Sequence, residues 1–309
     1  MAEGGKLTFT DPDGYAAAFS DARVNLTITG AGDFEARLIR LKLKHMQVYR
    51  CYERLPRIAS ISLPPAQISL SFPLGTTSLV SDGVVLRGGD IVLHRRGEGT
   101  HQRSEGACQW GLISLLPEEL ESYRKALTGR KVAPPNASRI LHPARADVAR
   151  FQRLFRQACH LAEAKQELIE HPEVARALQQ EMLYAIVHCL TADSRTTRRR
   201  QTVVMGRFEE CLSKHIDQKL SIPGLCAEIG VAERTLRMCC AKFLGVSPTR
   251  YLMLRRLNLA RSALRRANPS LATVAEVARN HQFLELGRFA VTYRTIFGES
   301  PSVTLGRDR

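Results

Sequence analysis

Two short stretches near the C-terminus carry arginines at spacings that place them on one face of a helix. Glu233, Arg234, Arg237, Met238 and Lys242 take the outward positions of one helix and Leu286, Gly287, Arg288, Val291 and Arg294 those of another, with steps of three or four at 234–238–242 and 288–291–294. An arginine so presented can hold a phosphate, or pair through two hydrogen bonds with guanine O6 and N7. The chemistry on offer is recognition of a polyanion, with no bond made or broken. The composition agrees: 45 of the 309 residues are Lys or Arg against 30 Asp or Glu, a net charge of +15. That balance suits nucleic acid or an anionic membrane surface. No run approaches the ~18 consecutive apolar residues of a spanning helix. The opening stretch MAEGGKLTFTDPDGYAAAF is acidic and lacks the apolar centre of a secretory signal. A membrane partner is therefore not expected, and a cytoplasmic, nucleoid-associated location is.

The elements that must hold these arginines can be read around them. LSIPGLCAEIGVAERTLRMCCAKFLGVSP (220–248) and LATVAEVARNHQFLELGRFAVTYRTIFGESP (271–301) share one plan. Each has a short helix with a small inner residue, Ala227 or Ala278, then a turn. A second helix follows with Leu236 and Cys240, or Phe289 and Tyr293, on its inner side. Each ends at Gly-x-Ser-Pro, Gly245 to Pro248 and Gly298 to Pro301, where glycine suits a left-handed cap and proline opens the next helix. A small residue and a tight turn let two helices pack closely while the second projects into a major groove, which is the helix-turn-helix arrangement. Between the units, Tyr251, Leu254, Leu257 and Leu264 stripe a single connecting helix. Arg255, Arg256, Arg261, Arg265 and Arg266 lie mostly off that stripe.

The C-terminal third is basic in its own right. From residue 204 onward it has 17 Lys and Arg against 9 Asp and Glu, a net of +8. Upstream, residues 193–203 are polar and hold four arginines, which reads as a basic linker. Residues 1–192 form the other unit. Within it, about 22–120 reads as short alternating strands with Gly, Pro and Asp turns, at Val24–Ile28, Leu38–Leu43, Ala59–Leu63, Ile68–Phe72, Val84–Leu86, Ile91–Leu93 and Trp110–Leu115. Pro117 opens a short helical stretch, and about 144–190 has helical spacing. These helices would cover the strands or pair with a second subunit. The expected class is α+β in two domains: a small β-barrel with accessory helices, then an all-α double helix-turn-helix at 204–309.

Residues 204–304 resemble the DNA-binding domain of the AraC/XylS family of bacterial transcription regulators. The resemblance rests on Ala227, Leu236, Phe243-Leu244-Gly245, Ser247-Pro248, Tyr251, Arg255-Arg256-Leu257, Ala260-Arg261, Val277-Ala278, Phe283, Phe289 and Phe297-Gly298-x-Ser-Pro301. It departs from the family at Gln282, where glycine is usual, and at Cys240, usually bulky. The resemblance implies that Arg234, Arg237, Met238 and Lys242 face one major groove and Gly287, Arg288 and Arg294 the next. It also implies a cupin-like N-terminal domain that senses a small molecule or dimerises. The implied partners are double-stranded DNA, a small-molecule effector of unknown identity, RNA polymerase and a second copy of the chain, with activation as the commoner outcome.

In that domain Gly88 to His94 resembles the family's strand-turn-strand segment, and His94, His101 and Trp110 are the candidate effector-binding residues, with Cys108 beside them. Other readings remain. They are core or surface residues of a small barrel in the plainer one. A cupin-type enzyme would need clustered His and Glu ligands, whereas His94 and His101 stand seven apart with only Glu98 and Glu105 near. An architectural DNA-binder without effector would use the same basic helices. A DNA-repair fusion would need a cysteine cluster, and only Cys51 and Cys108 lie in the strand region. None of the eight cysteines forms a C-x-x-C pair, so they read as reduced, buried thiols. No catalytic residue, metal or cofactor is expected.

Overall fold

Residues of alternating polarity pair into two antiparallel sheets in the computed structural model, which describes residues 3–128, 137–190, 193–196, 199–215 and 220–306. In chain order the first elements are β1 (Glu3–Phe9), α1 (Pro12–Ala17), β2 (Arg23–Ile28), β3 (Ala36–Lys42), β4 (Met46–Glu53), β5 (Arg57–Ser62) and β6 (Ile68–Pro73). Next come β7 (Leu79–Ser81), β8 (Val84–Leu86), β9 (Ile91–His94), β10 (Gly99–Ser104), β11 (Cys108–Leu115), α2 (Pro117–Thr128) and β12 (Arg139–His142). Then follow α3 (Arg145–Ala164), α4 (Gln166–Glu170), α5 (Pro172–Cys189), β13 (Asp193–Thr196) and α6 (Arg199–Lys214). The chain closes with α7 (Ile222–Ile229), α8 (Glu233–Leu244), α9 (Pro248–Arg266), α10 (Val274–Asn280), α11 (Leu286–Phe297) and α12 (Pro301–Leu305).

The larger sheet runs β1-β3-β4-β11-β6-β9-β12-β13 and the smaller β2-β5-β10-β7-β8. Tyr49, Cys51, Trp110 and Leu112 of the larger sheet share one core with Ala59, Ile61, Leu79 and Leu86 of the smaller, so the two close on each other as a small barrel. The outer face of the larger sheet is also covered. Val48, Leu70, Phe72 and Ile113 pack under Phe151, Phe155, Met182 and Ile186 of α3 and α5. Those two helices thus turn their apolar sides onto the barrel.

Several strands were not visible as alternation. In β4, Cys51 faces the barrel interior and Val48 faces α3 and α5, so apolar residues fall on both faces. In β10 the reverse holds, because Thr100, Gln102 and Ser104 are polar yet buried. The stretch expected as a linker carries regular structure. Residues 193–196 pair with β12 and α6 starts at Arg199, while residues 191–192 and 197–198 lie outside the described residues.

The helices from α6 onward form the second layer, with α9 between the two helix-turn-helix units. It buries Tyr251, Leu254, Leu257, Ala260 and Leu264. The barrel docks directly on this layer. Ile58 of β5 joins the core of α6, α7 and α8. Strand β2 is an edge of the smaller sheet, and α9 meets its C-terminal end at Ile28. Asn258 accepts from the Ile28 N–H at 2.9 Å and donates to the Ile28 carbonyl at 3.0 Å. Among the described residues no helix is long and apolar enough to cross a membrane.

Candidate nucleic-acid interface

The second helix of the first helix-turn-helix unit is aimed by its turn. Ser221 Oγ accepts from the Gly224 N–H at 3.1 Å and starts α7, and Gly230 ends it at φ 69°, a conformation suited to glycine. Leu225, Cys226 and Ile229 then pack on Leu236, Cys239, Cys240 and Phe243 of α8. The small inner residue of α7 is Cys226; Ala227 points outward. Gly245, at φ 73°, ends α8.

The second unit repeats the plan with a longer turn. Thr273 and Glu276 form a reciprocal capping box at the start of α10. Ala278 is fully buried, and the left-handed turn position is filled by Gln282 at φ 65°. From Cys226 to Gly230 and from Ala278 to Gln282 is four residues each, but Gly230 to Leu236 is six and Gln282 to Phe289 is seven. The extra residue precedes α11. Phe283, Phe289, Tyr293 and Phe297 form a chain of ring contacts with centroids 4.7–5.5 Å apart, locking α11 in place.

On α8 the side chains of Arg234, Arg237 and Met238 are exposed. Arg237 Nε donates to Glu233 Oε1 at 2.9 Å, one turn back along the same surface. On α11, Gly287, Arg288, Val291 and Arg294 are exposed. Lys242 goes elsewhere: its Nζ donates to Gln201 Oε1 of α6 at 2.9 Å and its stem lies against Gly83 of the β7–β8 turn. Its half-buried position follows from the helix period, since it sits eight residues after Arg234, more than two full turns.

Three arginines of α9, Arg255, Arg261 and Arg265, are held in contacts within the fold. Arg255 donates to Glu209 Oε2 at 3.0 Å, and Tyr251 and His101 donate to or share a proton with Glu209 Oε1 at 2.8 and 3.2 Å. Burial alone would raise the Glu209 carboxyl, yet His101, Arg255 and Tyr251 together hold it below its ordinary value. Arg261 is buried against the Phe297 ring and bonds Glu299 at 3.1 Å, and Arg265 pairs with Asp11 of the barrel side at 3.3 Å. Sequence spacing could not separate these from the exposed arginines of α8 and α11, because both sets fall at helical intervals.

His94, His101 and Trp110 are not brought together. His94 bonds Ser71 Oγ at 2.8 Å, and burial depresses its imidazole to about 4. Trp110 Nε1 donates to Glu53 Oε1 at 3.1 Å inside the barrel. His101 lies on the outer side of β10, against Glu209 of α6. None of the three lines the large cleft of the molecule. That cleft, about 850 Å³, runs between α1, β2 and α9, and Asp21, Arg255, Asn258 and Arg265 are among its walls. All eight cysteines are buried and free of disulfides. Among the described residues one group has the donor atoms for a metal ion: Cys211, His215 and Glu228, all within 4.8 Å of one another. His215 Nε2 and Glu228 Oε2 already meet at 3.1 Å, joining α6 to α7.

A family model described as a helix-turn-helix domain matches residues 225–307. The chain is 31% identical over 150 residues to a probable thc operon regulatory protein of Rhodococcus erythropolis, covering 47% of this chain and 45% of that protein. It is 32% identical over 99 residues to XylDLEGF operon transcriptional activator 2 of Pseudomonas putida, covering 32% of this chain and 63% of that one. Among solved structures, a probable AraC family transcriptional regulator from Rhodopseudomonas palustris is 31% identical, with 35% of this chain and 97% of that chain covered and a TM-score of 0.31. The match thus spans about half to less than two thirds of these curated relatives.

Proposed function

Because the chain belongs to the AraC/XylS family of transcriptional regulators, we propose that it is a sequence-specific DNA-binding regulator. In this reading it inserts α8 and α11 into successive major grooves and works as an activator. The observation that carries it is the pair of exposed reading helices, each built on a buried inner face and both fixed to α9. Arg234, Arg237 and Met238 are the readers of one groove and Gly287, Arg288 and Arg294 of the next, about 34 Å apart. Arg234, Arg237 and Arg288 are the side chains suited to guanine, each pair contributing about 1–3 kcal/mol of discrimination. The chain performs no catalysis in this reading, and it acts in the cytoplasm with DNA, RNA polymerase and a second copy of itself as partners.

The barrel is the sensing part. Its support is the interdomain cleft, where a small molecule would touch α9, the helix that holds both readers. The test of the DNA reading is recovery of genomic fragments bound by the purified protein at about 0.15 M salt, beside the Arg234→Ala/Arg288→Ala double variant. A shared motif of two half-elements about one turn apart, lost in the variant, is the expected result. Fragments without a common sequence would instead favour an architectural binder, which uses the same basic surface without base contacts.

A further inference from the structure

Beyond the turn, the two helix-turn-helix units correspond at a constant offset of 53 residues. Leu236 and Phe289, Cys240 and Tyr293, Phe243 and Ile296, and Gly245 and Gly298 are matched pairs, and each of the first three pairs is buried. The same offset relates Met238 to Val291. Both are apolar, and both are exposed, at 51% and 69%. A single exposed apolar side chain is ordinary. Two at the equivalent position of the two reading helices, each on the outward face, are a repeated feature of the surface.

Neither side chain is covered by the rest of the chain. The barrel reaches these helices elsewhere, at Lys242 and Gly245 of the first unit and at Gly298 of the second. Cations flank both positions. Arg234 and Arg237 precede Met238, and Arg288 and Arg294 stand one turn before and after Val291, all exposed. In a major groove held by those cations, an apolar side chain at the centre of the helix has no hydrogen bond to offer. The apolar group that bases present there is the C5-methyl of a pyrimidine.

Resting on the DNA reading above, we propose that Met238 and Val291 are specificity-determining residues that each seat against a pyrimidine C5-methyl, one in each half-element. The second unit, poor in polar readers because Gly287 replaces the arginine found at position 234, then reads chiefly by this contact together with Arg288. The recognised half-elements are therefore unlike in chemistry: guanine-rich with one methyl under α8, and methyl-dependent with one guanine under α11.

The test starts from duplexes selected out of a random pool by the full chain. Each thymine of the selected site is replaced in turn by uracil, which removes only the methyl, and by cytosine and 5-methylcytosine, which separate the methyl from the O4 carbonyl. One uracil in each half-element should weaken binding about three- to fivefold, the worth of one buried methyl. Val291→Ala should bind thymine and uracil equally at its own half-element and keep the preference at the other, with Met238→Ala giving the mirror result. If 5-methylcytosine restores what cytosine loses, the methyl itself is the ligand; if uracil binds as well as thymine while 5-methylcytosine binds no better than cytosine, the carbonyl is read and the proposal falls. It falls too if no uracil weakens binding, or if the alanine variants retain both preferences. Both side chains are exposed, so folding of the variants is not at stake, and the slope of affinity against salt should stay that of the unaltered chain because no phosphate contact is lost. A selection yielding no shared sequence would remove the regulator reading itself, and this inference with it.

Discussion

A carboxylate with almost no exposed surface needs partners on every side, and Glu53 has four. It accepts from Tyr15 Oη at 2.8 Å, Arg57 Nε at 2.6 Å, Trp110 Nε1 at 3.1 Å and Cys108 Sγ at 3.2 Å. Burial would raise its proton affinity, but Arg57, Trp110 and Cys108 together hold the carboxyl below its ordinary value. Glu53→Ala leaves the Arg57 guanidinium buried and unpaired, so urea unfolding should show a loss of about 3–5 kcal/mol. His94 makes a second prediction. Its folded value of about 4 lies below the ordinary 6.5, so the unfolded chain takes up a proton that the barrel refuses. Stability is then full above pH 6.5 and falls as pH drops from 6.5 to 4, by a total approaching about 3 kcal/mol. His94→Gln, which can still bond Ser71, should flatten that part of the profile of urea midpoints against pH. At this scale the sequence exposed the charge but not its use. Arg234 and Arg261 have the same residue type and similar surroundings in the sequence, and only packing shows one in solvent and the other beneath Phe297.

Among the elements, those whose faces differ in polarity were legible in the sequence. Strands β2, β5 and β6 have such faces, the helices α7 to α11 have apolar stripes or caps, and β9 and β11 were legible as short apolar runs between turns although they too pack on both sides. Strands β4 and β10 were not legible, because Gln47, Arg50 and Glu53 interrupt the apolar residues of one and the other carries its polar residues inward. The turn of the second unit was legible as an anomaly, Gln282 in place of glycine, and the structure gives it a left-handed backbone at φ 65°. A side chain there costs about 1–2 kcal/mol, while glycine costs about 0.5–1 kcal/mol through the freedom of the unfolded chain. Gln282→Gly should therefore raise stability slightly, by up to about 1 kcal/mol, seen as a small rise in Tm. A fall in Tm would mean that the Gln282 side chain contributes more than the backbone strain removes.

The whole molecule is arranged so that the barrel touches the ends of α8 and α11 at once. Gly83 meets Lys242 at the end of α8, the Ala31–Gly32 turn meets Gly298 at the end of α11, and Asn258 binds β2 between them. Domain order was readable from the change of period along the chain; this docking was not, because its contacts join residues more than a hundred positions apart. Asn258→Leu removes both bonds to the fully buried Ile28 backbone, and the expected cost is about 1–3 kcal/mol for each group left unpaired. Differential scanning calorimetry should show the barrel and the helical layer melting closer to independently in that variant. The same asparagine has another consequence. A strand end stripped of its cover is a template for pairing with any extended chain, and at Ile28 the cover is α9, the helix between the two helix-turn-helix units. Loosening Asn258 would therefore open that strand end to foreign extended chains and, in the same step, free the helix that spaces α8 from α11.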